Sequence, residues 1–123
     1  MTKNVSPQRD GWRAEQIVKL GSLSICSQRD GDTHTIGVDG EIDIASAGHV
    51  EQELMHVEAT DAREILLDLS ALKFIDSTGI RMLVMAEARS RADSNRLQLR
   101  RPPDSVLRVL RIAGIEERLP FAD

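Results

Sequence analysis

Leu66-Leu67-Asp68-Leu69-Ser70-Ala71-Leu72-Lys73-Phe74-Ile75-Asp76-Ser77-Thr78-Gly79-Ile80 decides the fold of this chain. It opens as an apolar run, crosses a short polar hinge and ends in Asp-Ser-Thr-Gly, where an amphipathic pattern starts. A buried strand feeding a helix through a hydroxyl-bearing turn reads this way. The nearly continuous Ile65, Leu66, Leu67 and Leu69 predict a central strand buried on both faces. Ser77 then falls where a helix begins, beside free backbone N–H groups and the positive end of the helix dipole. A hydroxyl at that place can be a helix cap, a nucleophile or a phosphate acceptor, and a plain cap is the commonest of the three.

Outward from this stretch, the helix is expected from about Ser77 to Ala92. Ile80, Leu83, Val84 and Ala88 form its expected core face. Met82, Met85 and Ala86 form a second apolar flank, with Arg81 and Arg89 beside them. Methionine on such a flank serves core packing or an adaptable docking surface. Upstream, Leu23 and Ile25 alternate with Ser24 and Cys26, and His34, Ile36 and Val38 alternate with Thr35 and Gly37. Gly31-Asp32 between them predicts a hairpin. Asp39-Gly40-Glu41-Ile42-Asp43 reads as a loop holding three carboxylates. From Ile44 to about Ala59, the steps Ala47, Val50, Leu54 and Val57 trace one helical face.

Downstream, Leu97 and Leu99 alternate in a short strand stopped by Pro102-Pro103. Asp104 is the expected cap of a last helix carrying Val106, Leu107, Val109, Leu110 and Ile112, closed by Gly114. Residues 1–21 are polar and read as an extension, flexible or docked, in which Trp12, Ile17, Val18 and Leu20 can form a short helix or strand. Residues 22–123 make the domain. The fold class is α/β: one mixed sheet of about four to five strands with about three to four helices.

At 123 residues the chain can bury a core without staples. Its aromatic side chains are Trp12, Phe74 and Phe121, so that core is aliphatic. A stacking platform for single-stranded nucleic acid is disfavoured for the same reason. A net charge of −4 also argues against binding a phosphate backbone. Arg96, Arg100, Arg101, Arg108 and Arg111 read as a solvated face. Cys26 is the single cysteine, which excludes an intrachain disulfide and a cysteine-based zinc site. A cytoplasmic address is expected, with no signal peptide and no membrane span. His49 and His56 lie seven apart, not the four that a helical metal site needs, and read as surface residues. Neither a metal nor a cofactor is expected. No Gly-rich phosphate loop marks a nucleotide site.

This order of elements, with Gly40-Glu41-Ile42-Asp43, Leu67-Asp68-Leu69-Ser70 and Phe74-Ile75-Asp76-Ser77-Thr78-Gly79, resembles the STAS family over roughly residues 23–121. More narrowly, it resembles the bacterial anti-sigma factor antagonists. The resemblance implies that Ser77, directly after the Asp, is the phosphorylated residue. It implies two enzymes as partners: an anti-sigma factor with a histidine-kinase-like ATPase fold, acting as the serine kinase, and a PP2C-type phosphatase. The unphosphorylated antagonist then sequesters the anti-sigma factor and frees a sigma factor for transcription, as in stress responses. The expected docking surface comprises Gly40, Glu41, Asp43, Asp76, Thr78, Gly79, Arg81, Met82 and Met85. Many members carry a small residue where this chain has Arg81. The resemblance leaves room for a weak homodimer, and for a STAS regulatory subunit of a transporter or a multiprotein sensory complex. An enzyme is not expected. The sequence around Ser77 is not Gly-x-Ser-x-Gly, and the three histidines all precede it with none placed as its base.

Overall fold

The computed structural model describes residues 16–122. Five strands form one sheet in the order β1-β2-β3-β4-β5. They are β1 (Gln16–Leu20), β2 (Leu23–Asp30), β3 (Thr33–Ile42), β4 (Glu64–Ile75) and β5 (Leu97–Arg100). Helix α1 (Ala47–Glu58) links β3 to β4, α2 (Ser77–Ala92) links β4 to β5, and α3 (Asp104–Ile112) follows β5. β1, β2 and β3 pair antiparallel, whereas β3, β4 and β5 run parallel. The parallel strands advance across the sheet in one direction. Right-handed connections therefore bring α1 and α2 to the same face.

Side-chain alternation follows from that one-sided packing. Leu23, Ile25, Ile36, Val38, Ile42, Ile65, Leu67, Leu69, Leu72, Leu97 and Leu99 are buried and form one cluster with the inner faces of all three helices. The opposite face carries Ser24, Cys26, Gly37, Asp68, Gln98 and Arg100, all at least partly accessible. β4 is therefore not buried on both faces, as its composition suggests. Leu66 points to the open side, and Asp68 there pairs with Arg100 at 3.0 Å. The sheet is open because both crossover helices lie on the other side.

The hairpin of β2 and β3 turns at Gly31, whose φ of 62° suits glycine. β1 pairs with β2 from Gln16↔Ser27 to Leu20↔Leu23, so Gln16–Leu20 of the N-terminal segment is an edge strand, while Trp12 lies outside the described residues. At the other edge, Leu99 N–H donates to Pro120 O at 2.9 Å, Ala122 N–H donates to Leu99 O at 2.9 Å, and the chain end covers β5.

Several sequence expectations shift. α1 buries Ala47, Val50, Leu54 and Val57, the face that its spacing predicts. α2 buries Gly79, Met82, Leu83 and Ala86; of the predicted face, Leu83 is buried, Ile80 and Val84 pack partly buried against the core, and Ala88 is exposed. Two stripes of α2 are comparably apolar, and the close approach at Gly79 selects between them. Asp104 is the first residue of α3, and Pro103 occupies the cap position without a side-chain bond. Arg96 is not on a solvated face. Its guanidinium donates to the carbonyls of Glu58, Thr60 and Ala62, holding the C-terminal end of α1.

Candidate regulatory site

β4 ends at Ile75, and Asp76 turns the chain into α2. Asp76 N–H donates to Ile42 O at 3.1 Å, which pins this turn to the end of β3. The Asp76 backbone is extended, with φ −104° and ψ −174°, as an N-cap requires. Its Oδ1 accepts the N–H groups of Thr78 at 2.9 Å and Gly79 at 3.1 Å. Its Oδ2 accepts Ile44 N–H at 3.1 Å from the loop between β3 and α1. One carboxylate thus joins the ends of two neighbouring strands and the start of a helix.

Asp76 takes the capping role, which leaves Ser77 without one. Ser77 is the first helical residue, is exposed, and its hydroxyl makes no hydrogen bond among the described residues. Thr78 is half-buried. Gly79 allows α2 to sit close on the sheet: a Cβ there would lie 2.6 Å from Ile75 Cγ1 and 2.8 Å from Ile42 Cγ2. Gly79 is therefore a packing residue rather than a contact for a partner. The same holds for Met82, which is 4% exposed and belongs to the core. Met85 is 46% exposed. It shares one face of α2 with Ser77 and Arg81, at successive steps of four.

The Gly40–Asp43 stretch lies at this same end of the sheet, because Ile42 pairs with Ile75. It is mostly strand, not loop: β3 runs on to Ile42. Gly40 is buried, with φ 117°, and a Cβ would meet Ser22 O at 1.9 Å. It makes room for Glu41 N–H to reach Ser22 O at 3.0 Å, so it shapes the strand and offers nothing to a partner. Glu41 is exposed and Asp43 half-buried. Asp43 Oδ1 accepts Ala45 N–H at 3.0 Å, and buried Ser46 accepts Asp43 N–H at 3.0 Å. These bonds fix the loop that presents Ile44.

Ile44, 80% exposed, and Phe74, 47% exposed, flank Asp76, and sequence reasoning missed both. β4 carries extra residues against β3 between Gly37/Asp39 and Gly40/Glu41, and these irregularities turn Phe74 outward. Ile44 stands one step of three before Ala47, so its spacing reads as core, and it is exposed because α1 begins only at Ala47.

The charge around Ser77 is mixed. Asp76, Asp43 and Glu41 are the carboxylates of this end of the sheet, and Lys73 is committed to Asp39 at 3.3 Å. Arg81 is exposed and makes no ion pair among the described residues. Nothing here resembles a nucleophile with its base. His34 is the second residue of β3, roughly 26 Å along the strand from Ile42. It bonds Ser27 Oγ, and its pKa is lowered, first by burial. Glu53 opposes that shift, whereas Arg29 and His56 add to it. His49 and His56 are exposed on α1. Among the described residues, no group of three or more His, Cys, Asp or Glu side chains gathers to hold a metal. Nor is any helix among them long and apolar enough to cross a membrane.

An open-faced mixed sheet with an Asp-capped helix presenting a free serine defines a class of domain, and comparison with known proteins agrees. The sequence model described as "Mlab, STAS domain" matches residues 25–120. The chain belongs to the STAS domain family. The anti-sigma-B factor antagonist of Listeria monocytogenes is 30% identical over 90 residues, 73% of this chain and 79% of that protein. The crystal structure of an anti-sigma factor antagonist from Mycobacterium paratuberculosis superposes with a TM-score of 0.71 at 22% identity, covering 81% of this chain and 85% of that one. The phosphorylated form of SpoIIAA, a cell fate determinant of Bacillus, superposes with a TM-score of 0.56 at 18% identity, covering 89% and 92%.

Proposed function

We propose that this chain is an anti-sigma factor antagonist switched by phosphorylation of Ser77. The observation that carries this reading is the separation of roles at the start of α2: Asp76 caps the helix and Ser77 presents an exposed, uncommitted hydroxyl. Exposed Ile44, Phe74 and Met85 beside it supply apolar area for docking. The names of its relatives support the same reading. In the unphosphorylated form, the surface of Ile44, Glu41, Asp43, Phe74, Ser77, Arg81 and Met85 docks on an anti-sigma factor and frees its sigma factor. That anti-sigma factor, with a histidine-kinase-like ATPase fold, is the kinase, and a PP2C-type phosphatase resets the switch. The chain acts by binding and carries out no chemistry of its own.

Phosphorylation adds about −1.5 to −2 charges and three acceptor oxygens. A partner shaped for a neutral hydroxyl must then desolvate a dianion, so affinity falls more than about tenfold, or ~1.4 kcal/mol. The test is incubation with the cognate kinase and ATP, phosphosite mapping by mass spectrometry, and affinity before and after. Ser77→Ala should resist phosphorylation and keep binding, and Asp43→Ala should weaken binding with an intact far-UV spectrum. Phosphate on Thr78 alone, or unchanged affinity with stoichiometric phosphate on Ser77, overturns the reading. A pull-down that returns transport subunits instead of an ATPase-like kinase replaces it with a transporter role.

A further inference from the structure

The end of α2 is poorly equipped to receive the phosphate that the proposed switch requires. A helix N-terminus ordinarily offers its free N–H groups to an anion. Here Asp76 already occupies those of Thr78 and Gly79, and Ile80 N–H bonds Asp76 O at 2.9 Å. The surrounding fixed charge is also unfavourable. Asp76 is adjacent in sequence, and Asp43 and Glu41 belong to the same end of the sheet. Residues 40–46 contain no Lys or Arg, and Lys73 on β4 is paired with Asp39.

Arg81 is the cation placed to answer this. The other arginines of α2 are committed, Arg89 to Glu51 and Glu58, and Arg91 to Glu87. Arg81 lies four residues after Ser77, so their Cβ atoms are neighbours at about 5–6 Å on one helix face. Helical side chains lean toward the N-terminus, which directs the long arginine stem back over Ser77. An acid preceding a base by four residues is the favourable order. The guanidinium fork also matches two phosphate oxygens at once.

We propose that Arg81 captures the phosphate on Ser77 within the same helix, so that phosphorylation withdraws an unpaired cation from the docking surface as well as placing a dianion there. This rests on the reading that Ser77 is the modified residue. It gives the switch two effects from one modification: a partner carboxylate that pairs with Arg81 in the unmodified form loses its counter-charge when the phosphate takes it. The partner group implied is therefore an acidic side chain opposite the second turn of α2.

The test needs no kinase. Phosphoserine is installed at position 77 of the full chain by codon reassignment, and its second ionisation is followed by phosphorus NMR between pH 4 and 8. Pairing with a cation favours the dianion and lowers this pKa. The wild-type value should lie below that of Arg81→Gln by on the order of 0.3 unit or more. Arg81→Lys should recover part of the difference, and Arg91→Gln, at the far end of α2, should change nothing. In 1 M salt, where the screening length is about 3 Å, the gap should shrink. Equal pKa values for wild type and Arg81→Gln overturn the proposal while leaving phosphorylation of Ser77 intact. A chain that its kinase never modifies overturns the switch, and leaves the titration result standing.

Discussion

Asp76 accepts three backbone N–H groups through two oxygens, so substituting it in two ways separates its functions. Asp76→Ala deletes all three bonds. Loss of an N-cap costs about 1 kcal/mol. The bond from Ile44 is exposed and is worth roughly another 1 kcal/mol at most. A total near 2 kcal/mol is expected, lowering Tm by several degrees for a domain of this size. Asp76→Asn should behave differently. Its amide oxygen can keep the bonds to Thr78 and Gly79, but the NH₂ group that replaces Oδ2 cannot accept from Ile44 N–H. The flipped amide would save one bond and lose two, so the capped orientation prevails. The loss is then about 1 kcal/mol, plus a few tenths from the charge removed at the helix end.

Hydrogen exchange read residue by residue distinguishes the two variants better than total stability does. In Asp76→Asn, the Ile44 amide should lose protection while those of Thr78 and Gly79 keep theirs. In Asp76→Ala all three should lose it. Binding to the anti-sigma factor should weaken in Asp76→Asn, because the loop presenting the exposed Ile44 is then untethered. An Asn variant whose Ile44 amide stays as protected as in the wild type would refute this account of the loop.

Other perturbations test the framework around the site. Gly79→Ala should destabilise the fold by about 1–2 kcal/mol, because a Cβ 2.6 Å from Ile75 must displace α2 and the propensity gain of alanine is smaller than that strain; a variant as stable as wild type in urea unfolding argues against the close approach. Arg96→Met removes a charged donor from three carbonyls and should cost about 2–3 kcal/mol, and a loss under about 0.5 kcal/mol would show that those carbonyls find other partners. His34 has a lowered pKa in the fold, so the unfolded chain binds the proton more readily. The stability that it contributes is complete above the unfolded value of about 6.5 and is lost as pH falls below it. His34→Gln should flatten unfolding free energy against pH just below about 6.5, and an unchanged slope would assign that dependence to other groups.

Short-range patterns were legible where one local cause dominates. Gly31-Asp32 between alternating segments gave the hairpin of β2 and β3, and the spacing of Ala47, Val50, Leu54 and Val57 gave the buried face of α1. The strand-to-helix turn at Asp76-Ser77 was legible for the same reason. What escaped depends on contacts between distant segments. The rotation of α2's inner face toward Met82 and Ala86 follows from Gly79 seating against Ile75 and Ile42, which no periodicity in residues 77–92 encodes. Gly40 and Met82 look like surface candidates until the chain is folded, when one fills a tight crossing beside Ser22 and the other enters the core. Ile44 and Phe74 look like core residues and are not, because a tethered loop and irregular pairing of β3 with β4 turn them outward.

The order Asp-Ser, rather than Ser alone, gives the site its character. A serine at the cap position would have its Oγ engaged with the N–H groups of the first turn, and modifying it would remove a cap worth about 1 kcal/mol. The helix end would then loosen with each modification. With Asp76 in that position, the cap is a permanent carboxylate and the adjacent hydroxyl is free of structural duty. A charge added at Ser77 consequently acts on whatever faces the surface and leaves the strand–helix junction in place. Asp76 also holds Ile44 N–H, so the exposed Ile44 and the Ser77 hydroxyl are positioned by the same carboxylate. On the proposed reading, recognition and its interruption share one rigid frame, and a phosphate on Ser77 need only change the electrostatics of a surface that is already built.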